Sequence, residues 1–593
     1  MADDAPHQEV FEAPHPGSPK MPRWTTGELI DAPRFTWRNW WGMLGPGLLM
    51  GGAAIGGGEW LMGPVVTARY GGALFWLATL SILSQVVYNL EICRYTLYCG
   101  EPIFNGKFRT LPGPQFWLLV YLLLDFGSVF PYLAASAATP LAAVFLGRIP
   151  DPVEDYTLLN VLSFAIFGVS LLPLIFGGKI YNALKAIMTF KIFVVFSFLL
   201  VLAIFYSTPS TWEEILTGFV KFGNIPVEQP EDRNGNGILD DDEYDWDGDG
   251  RADVVEEIYK PSIDSDGDGK PDKYQRDEAG NPILFNDVDG DGIRDGDSVD
   301  NIFVALFEGR ALPPINFSLI GVLCALVAIS GQGGLSNTPI SNYTRDQGWG
   351  MGHHVGAIPS IVGGHELKLA HVGCVFQITA ESLRRWKRWY WHVMRDQLFV
   401  WMPACFIGLA LPSMLSVQFL RRGTVVEDLW VAAGMTADGV RDAVSKVSGA
   451  YMGDFFWFMT LFCGFLVLGP SMAVTADGVI RRWVDVFWTA SARLRDVDPG
   501  EIRKFYFGVL CAYAVFGFIA LGFIKKGLLV LISTNIYNYA LGFSCWHTLV
   551  VNMVLLPREI RPGWFVRITL FLAGAFFIAT AVLKNLSELG VLG

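Results

Sequence analysis

Charge is scarce in this 593-residue sequence, with Asp, Glu, Lys and Arg making up only 17% of it. Soluble domains carry roughly a quarter, and here 52% of the residues are hydrophobic with a mean hydropathy of +0.37. A water-soluble globular protein is therefore not expected. Cysteine is also sparse: the eight residues stand at Cys93, Cys99, Cys324, Cys374, Cys405, Cys463, Cys511 and Cys545, with no Cys-x-x-Cys pair. That spacing offers no disulfide framework and no zinc ribbon. The pair His365-Glu366 is followed by His371, six positions after His365. Zinc-protease histidines need i, i+4 on one helical face, so that chemistry is excluded, and these histidines read as surface or interfacial. No nucleophile and base stand together, and an enzyme is not expected. Residues 1–36 lack the apolar core of a secretory leader and read as a flexible cytosolic tail.

What is abundant is apolar length. With 43 Phe and 20 Trp, the chain has apolar stretches at about 43–68, 73–98, 116–146, 158–177, 185–206, 315–340, 395–418, 452–476, 505–525, 528–556 and 564–584. A helix crosses the roughly 30 Å hydrocarbon layer in about 20 residues. These stretches predict an all-α polytopic membrane protein of about eleven spans, with the lipid bilayer as solvent. Arg34 and Arg38 put the N-terminus in the cytosol, and every second loop then carries basic residues: Lys107 and Arg109, Lys179 and Lys185, Arg384 to Arg388, Arg481, Arg482, Arg493 and Arg495, Arg558 and Arg561, with Arg421, Arg422, Lys525 and Lys526 in outside loops as the exceptions. Trp37, Trp40, Trp41 and the run Trp386 to Trp391 sit where interfacial anchors belong. A multi-pass protein of the inner or plasma membrane follows, divided into the tail, spans 1–5 at 37–206, an acidic insert at 207–312 on the outside, and spans 6–11 at 313–593.

The net charge of −13 comes from that insert, since residues 226–300 carry 25 Asp and Glu against 7 Lys and Arg. The remainder is net positive, and its basic residues serve as topology signals, which gives no reason to expect nucleic acid. Within the insert the pattern Asp-x-(Asp/Asn)-x-(Asp/Asn)-Gly-x-x-Asp recurs four times. The first places Asp232, Asn234, Asn236 and Asp240 at loop positions 1, 3, 5 and 9, with Gly237 for the turn and Glu243 at position 12. The second repeats it in Asp245, Asp247, Asp249, Asp253 and Glu256. The third, Asp264, Asp266, Asp268 and Asp272, and the fourth, Asp287, Asp289, Asp291 and Asp295, end in Gln275 and Ser298 and lose the bidentate carboxylate. These are the oxygen positions of EF-hand calcium loops. Ca2+ is the expected cofactor, ordering a segment too polar to fold alone into a structural cap rather than a sensor.

Two spans are interrupted near their middles. The first contains Gly56-Gly57-Gly58-Glu59, and the sixth contains Ser330-Gly331-Gln332-Gly333. Consecutive glycines weaken a helix, and freed backbone groups at the midplane are tolerated where they line a cavity. A pair of interrupted spans at corresponding places points to an inverted-repeat transporter, spans 1–5 against spans 6–10. An intramembrane carboxylate such as Glu59 needs a partner, water or an ion, or else caps the second half-helix. Asp125 in the third span is a candidate for proton coupling or a helix-packing bond. Asn535 and Asn538, spaced i, i+3, either face the same cavity or bond a neighbouring helix.

Gly45-Pro-Gly-Leu-Leu, the break at 56–59 with Trp60 after it, Tyr70-Gly-Gly-Ala-Leu-Phe-Trp76 and Arg94 to Gly100 together resemble the natural resistance-associated macrophage protein (Nramp) family of divalent-metal transporters. The resemblance continues through the sixth span to Thr344-Arg345 and leaves out the insert. It implies the fold of sodium-coupled amino-acid symporters (LeuT-like) with discontinuous spans 1 and 6, and transport of a divalent metal cation with protons. Where the family has Asp-Pro-Gly-Asn, this chain has Gly56-Gly57-Gly58-Glu59, and where it has Met-Pro-His, Gly331-Gln332-Gly333. The family's third-span acidic residues align with Tyr121, Ser128 and Pro131. The expectation is a divergent secondary transporter whose substrate site is all oxygen: Glu59, carbonyls around Gly56, Gly57, Gly58 and Gly331, and Gln332, with Asn535 and Asn538 nearby. Its rivals are an organic-solute carrier of the same fold and a calcium-anchored membrane protein that transports nothing.

Overall fold

Each apolar stretch forms a helical span in the computed structural model, which describes residues 11–36, 45–175, 180–227, 298–356 and 372–591 apart from 310, 311, 314, 318, 421, 425, 427 and 496–500. Ten helices among the described residues are long and apolar enough to cross a membrane. They are Trp76–Cys99 (span 2), Pro114–Leu146 (span 3), Tyr156–Ile175 (span 4), Ala183–Phe205 (span 5), Ile320–Asn337 (span 6), Ala380–Phe419 (span 7), Ala450–Ala490 (span 8), Lys504–Phe523 (span 9), Lys526–Leu555 (span 10) and Trp564–Glu588 (span 11). Span 1 is the eleventh, divided into Pro46–Ala54 and Gly63–Tyr70 by a wider turn over Gly58–Met62. The protein is an all-α multi-pass membrane protein.

Local chemistry sets the ends. Pro114 occupies the first turn of span 3, where its missing N–H costs nothing. Gly100 and Gly147, at φ 68° and 70°, take the left-handed conformation that closes spans 2 and 3. Among the ten, spans 6, 2 and 8 are the most buried and spans 11, 5 and 9 the most exposed. The exposed faces carry Phe193, Phe205, Phe523 and Phe571, as lipid contact requires.

Three expectations change. Span 8 does not end near 476 but runs 41 residues to Ala490, about twice the length needed to cross the hydrocarbon. Arg481 and Arg482, read as loop charges, are therefore inside the bundle and buried. Span 7 likewise begins at Ala380, so Arg384 to Arg388 decorate a helix rather than a loop.

Residues 11–36 were expected to be flexible, yet they pack under the bundle. Met21, Trp24 and Leu29 are buried, Thr25–Thr26 pairs in parallel with Cys374–Val375, and the Trp389 indole donates to Ile30 O at 2.8 Å. The cause is apolar side chains that find a groove, with Arg109 donating to Pro22 O at 2.7 Å and lying over the Trp24 ring. Arg109 also forms a buried ion pair with Glu101. Burial alone would raise the Glu101 carboxyl, but the neighbouring guanidinium outweighs it and holds the group below the usual carboxylate range.

The insert leaves the bundle through an antiparallel pair, Asn224–Val227 against Ser298–Asn301. The four segments expected to bind calcium, from Asp232 to Asp295, lie outside the described residues, as do Trp37, Trp40, Trp41, His365 and His371. At its root Glu214 accepts from the Gly72 N–H at 3.1 Å and pairs with Arg422, fastening the insert to the end of span 1.

Candidate functional site

The two breaks meet. Span 1 loses its helix after Ala54, and Ile55 adopts ψ 86°, which swings its carbonyl out of the helix. A Cβ on Gly58 would lie 2.2 Å from Ile329 O, and one on Gly57 2.9 Å from the Tyr132 ring, whereas one on Gly56 would meet nothing closer than Ala53 O at 3.2 Å. Gly58 is thus needed for backbone approach between spans 1 and 6. Span 6 stops at Ile329, and Gly331 takes φ +100°, a conformation that glycine alone adopts at little cost.

Glu59 joins the breaks. Its fully buried carboxylate accepts from the Gly56 N–H at 3.0 Å and from the Gly331 N–H at 3.1 Å. Two carboxylate oxygens offer about four lone-pair sites, so these bonds leave acceptor capacity for a cation. Gln332 donates its amide to Met50 O at 2.7 Å, and its backbone N–H goes to Gln85 Oε1 at 2.8 Å. Cys405 of span 7 is buried within electrostatic range of Glu59.

The remaining candidates sit elsewhere. Asp125 is held by Arg482 of span 8 through both carboxylate oxygens and accepts from the Trp483 indole at 2.7 Å. It bonds spans 3 and 8 together rather than standing open to a water path. Asn538 donates to Cys324 O of span 6 at 3.0 Å, more than a turn before the break, and Asn535 donates to Asn585 of span 11 at 2.7 Å. Neither amide nitrogen bonds a break residue.

Two residues that the sequence reading passed over complete the centre. Gln85 of span 2 donates to Ser330 O at 3.0 Å and accepts from Asn337 at 3.1 Å, so one amide satisfies the loosened backbone of span 6. Lys191 of span 5 donates to Ile55 O, to Val467 O at 2.9 Å and to Ser471 Oγ at 2.6 Å. The signal for Lys191 was present: it is an ionisable residue inside an apolar run, which by itself marks a functional candidate.

The breaks have unlike surroundings on their two sides. Toward the insert a cleft of about 410 Å³ is lined by Val65, Arg69, Leu319, Val322, Asp428 and Leu531, among others. Toward the N-terminal side buried ion pairs fill the space: Arg345 with Asp485 at 2.9 Å, Arg481 with Asp477 at 3.1 Å and with Asp346, and Arg482 with Asp125. The Tyr343 and Tyr506 hydroxyls donate to Asp477 at 3.0 and 2.7 Å.

The overall fold has counterparts among solved structures of the manganese transporter of Eremococcus coleocola. One, in complex with an aromatic bis-isothiourea substituted compound, aligns over 94% of this chain and 89% of its own at 12% identity, with a TM-score of 0.51. Two point mutants of that transporter align over 95% of this chain and 90% of theirs, at 12% and 13% identity with TM-scores of 0.55 and 0.53. The chain has the fold of this transporter. It is the fold that the resemblance to the Nramp family implies, with spans 1 and 6 discontinuous. Sequence comparison reaches less far. No family model matches, and an uncharacterized protein of Pasteurella multocida is 30% identical over 142 residues, which are 24% of this chain and 31% of that protein.

Proposed function

We propose that the protein is a secondary transporter of divalent metal cations, with Glu59 as the charged ligand and Gln332 and carbonyl oxygens around Gly56, Gly57, Gly58 and Gly331 as neutral ones. The observation that carries this reading is the Glu59 carboxylate bonded to both breaks. In the rival reading an organic solute would place its own carboxylate on the N–H groups of the broken helices. Here the Gly56 and Gly331 N–H groups already have a carboxylate, that of Glu59. An anion is therefore built in, and its unused lone pairs suit a cation. The fold shared with a manganese transporter supports the same reading.

The cleft toward the insert and the buried ion pairs on the other side support alternating access, in which the Arg345, Arg481 and Arg482 pairs part when the N-terminal side opens. The basic residues near the span ends support an N-terminus in the cytosol, and the acidic loop pattern supports an insert outside the cell membrane that holds Ca2+ as a structural cofactor.

Uptake into proteoliposomes, measured for manganese, magnesium, cadmium and a panel of amino acids, tests the reading. Saturable metal uptake is expected, with magnesium and manganese competing well, because the proposed ligands are hard oxygens. Amino-acid uptake without metal uptake would refute it. Cadmium outcompeting magnesium by orders of magnitude, and losing that advantage in Cys405→Ser, would show that sulfur belongs to the site.

A further inference from the structure

The first part of span 7 is a helix with two unlike faces. Over Ala380–Asp396 one face is buried, with Trp386, Trp389, His392 and Val393 packed against the bundle. Beside them Arg385 is taken up by acidic partners, Glu28 at 2.6 Å and Glu381 at 2.8 Å. The opposite face is exposed and carries Arg384, Lys387, Arg388 and Trp391 at i, i+3, i+4 and i+7, which makes them one stripe. Of its three cations only Arg388 meets a carboxylate, Asp31 at 3.4 Å; Arg384 and Lys387 pair with none among the described residues.

The stripe borders a hollow of about 540 Å³, lined by Ala380, Leu383, Arg384, Lys387, Arg388 and Trp391. Its floor is apolar and its rim carries three positive charges. Further along the same helix the exposed residues become apolar, with Phe399 and Ile407 turned outward. Trp391 stands about 12 Å before Phe399 at 1.5 Å per residue. Lipid-facing side chains, then an indole, then cations is the order a helix shows as it leaves the hydrocarbon through the headgroup layer. A small water-soluble anion would leave the apolar floor unused, and a neutral lipid would leave the cations unused. A phosphodiester joined to a glycerol and acyl chains uses both.

We infer that this hollow binds the headgroup of an anionic phospholipid, with its phosphate among Arg384, Lys387 and Arg388 and its glycerol against Ala380, Leu383 and Trp391. The helix that holds the lipid also supports the start of span 1. Its Asp396 carboxylate accepts from the Gly45 and Gly47 N–H groups at 3.2 and 2.6 Å, and its Trp389 indole donates to Ile30 O in the tail. A bound lipid therefore steadies the helix against which span 1 begins, whatever the cargo is.

The test uses the full-length protein in a neutral detergent at low ionic strength. Melting temperature is followed as phosphatidylglycerol, phosphatidylcholine or soluble glycerol phosphate is added, and native mass spectrometry counts the lipid retained. Saturable stabilisation by phosphatidylglycerol alone is expected for the wild type. Arg384→Gln with Lys387→Gln changes two exposed side chains and is expected to weaken the apparent phosphatidylglycerol affinity by about thirtyfold, since each cation near a charged headgroup contributes about 1 kcal/mol. Ala380→Glu keeps every cation, sets a carboxylate in the hollow and is expected to lower the affinity at least as far. Arg493→Gln with Arg567→Gln removes equal charge from exposed positions on spans 8 and 11 and is expected to leave the affinity unchanged. Equal stabilisation by phosphatidylcholine or by glycerol phosphate would overturn the inference. So would unchanged affinity in the Arg384, Lys387 variant, or an equal loss in the Arg493, Arg567 variant, which would mean diffuse charge attraction without a site. Because the readout is lipid binding, failure here leaves the uptake measurement of the preceding section unaffected.

Discussion

Replacing Glu59 by Gln keeps the shape and one acceptor oxygen while removing the charge, which separates its two roles. As a cap, the carboxylate holds the Gly56 and Gly331 N–H groups at 3.0 and 3.1 Å. A buried hydrogen bond to a charged group is worth about 1.5–3 kcal/mol. Gln serves one N–H and turns its own NH2 toward the other, so Glu59→Gln is expected to cost about 2 kcal/mol, and Glu59→Ala, which orphans both, about 4 kcal/mol. As a ligand, the carboxylate supplies the only formal charge in the proposed site, and folded Glu59→Gln protein is expected to take up no metal. Melting temperature in detergent orders the three proteins, and uptake per folded molecule is then measured in proteoliposomes. Equal melting of the Ala and Gln variants would refute the capping geometry. Metal uptake retained by folded Glu59→Gln would refute the ligand role.

Glycine substitutions at the first break are expected to differ sharply. Gly58→Ala drives a methyl to 2.2 Å from Ile329 O and should destabilise by about 3 kcal/mol or more, while Gly56→Ala, whose methyl meets nothing closer than Ala53 O at 3.2 Å and needs only a slight shift, should stay within about 1 kcal/mol in the same melting assay. Loss of Glu101 leaves Arg109 buried and unpaired, so Glu101→Gln is expected to cost about 3–5 kcal/mol near neutrality. The folded Glu101 carboxyl titrates below its unfolded value, so this contribution is complete above about pH 5 and fades as the pH falls through the folded value. The gap between wild type and Glu101→Gln should therefore be flat above that pH and close in acid; a gap that widens in acid would contradict the pairing. In the full-length protein, millimolar calcium is expected to protect residues 226–300 from proteolysis relative to chelator, and Asp232→Ala with Asp245→Ala to reduce that protection. Identical digestion in both conditions would rule out the calcium-ordered cap.

Local features were legible in the chain. Eleven apolar runs of sufficient length became eleven spans, because a hydrocarbon layer demands only length and hydrophobicity of each run separately. The glycines at 56–58 and at 331, 333 and 334 were visible as breaks for the same reason, since glycine weakens a helix wherever it stands. Boundaries failed where burial came from a neighbour. Asp477, Arg481 and Arg482 look like loop charges until Asp346, Asp125 and two tyrosine hydroxyls surround them. The tail at 11–36 looks unstructured until Cys374–Val375 offers it a strand.

The sequence by itself determined the membrane setting, the number of spans, the two interruptions and the acidic insert, all of which depend on composition over short windows. Only the tertiary structure decided what each buried charge does. Lys191 reaches Ile55 across 136 positions, Glu59 reaches Gly331 across 272, and Arg482 reaches Asp125 across 357. In hydrocarbon an ionised group is stable only beside its partner, and which residues become partners is set by how the helices pack, information that no short stretch of chain contains.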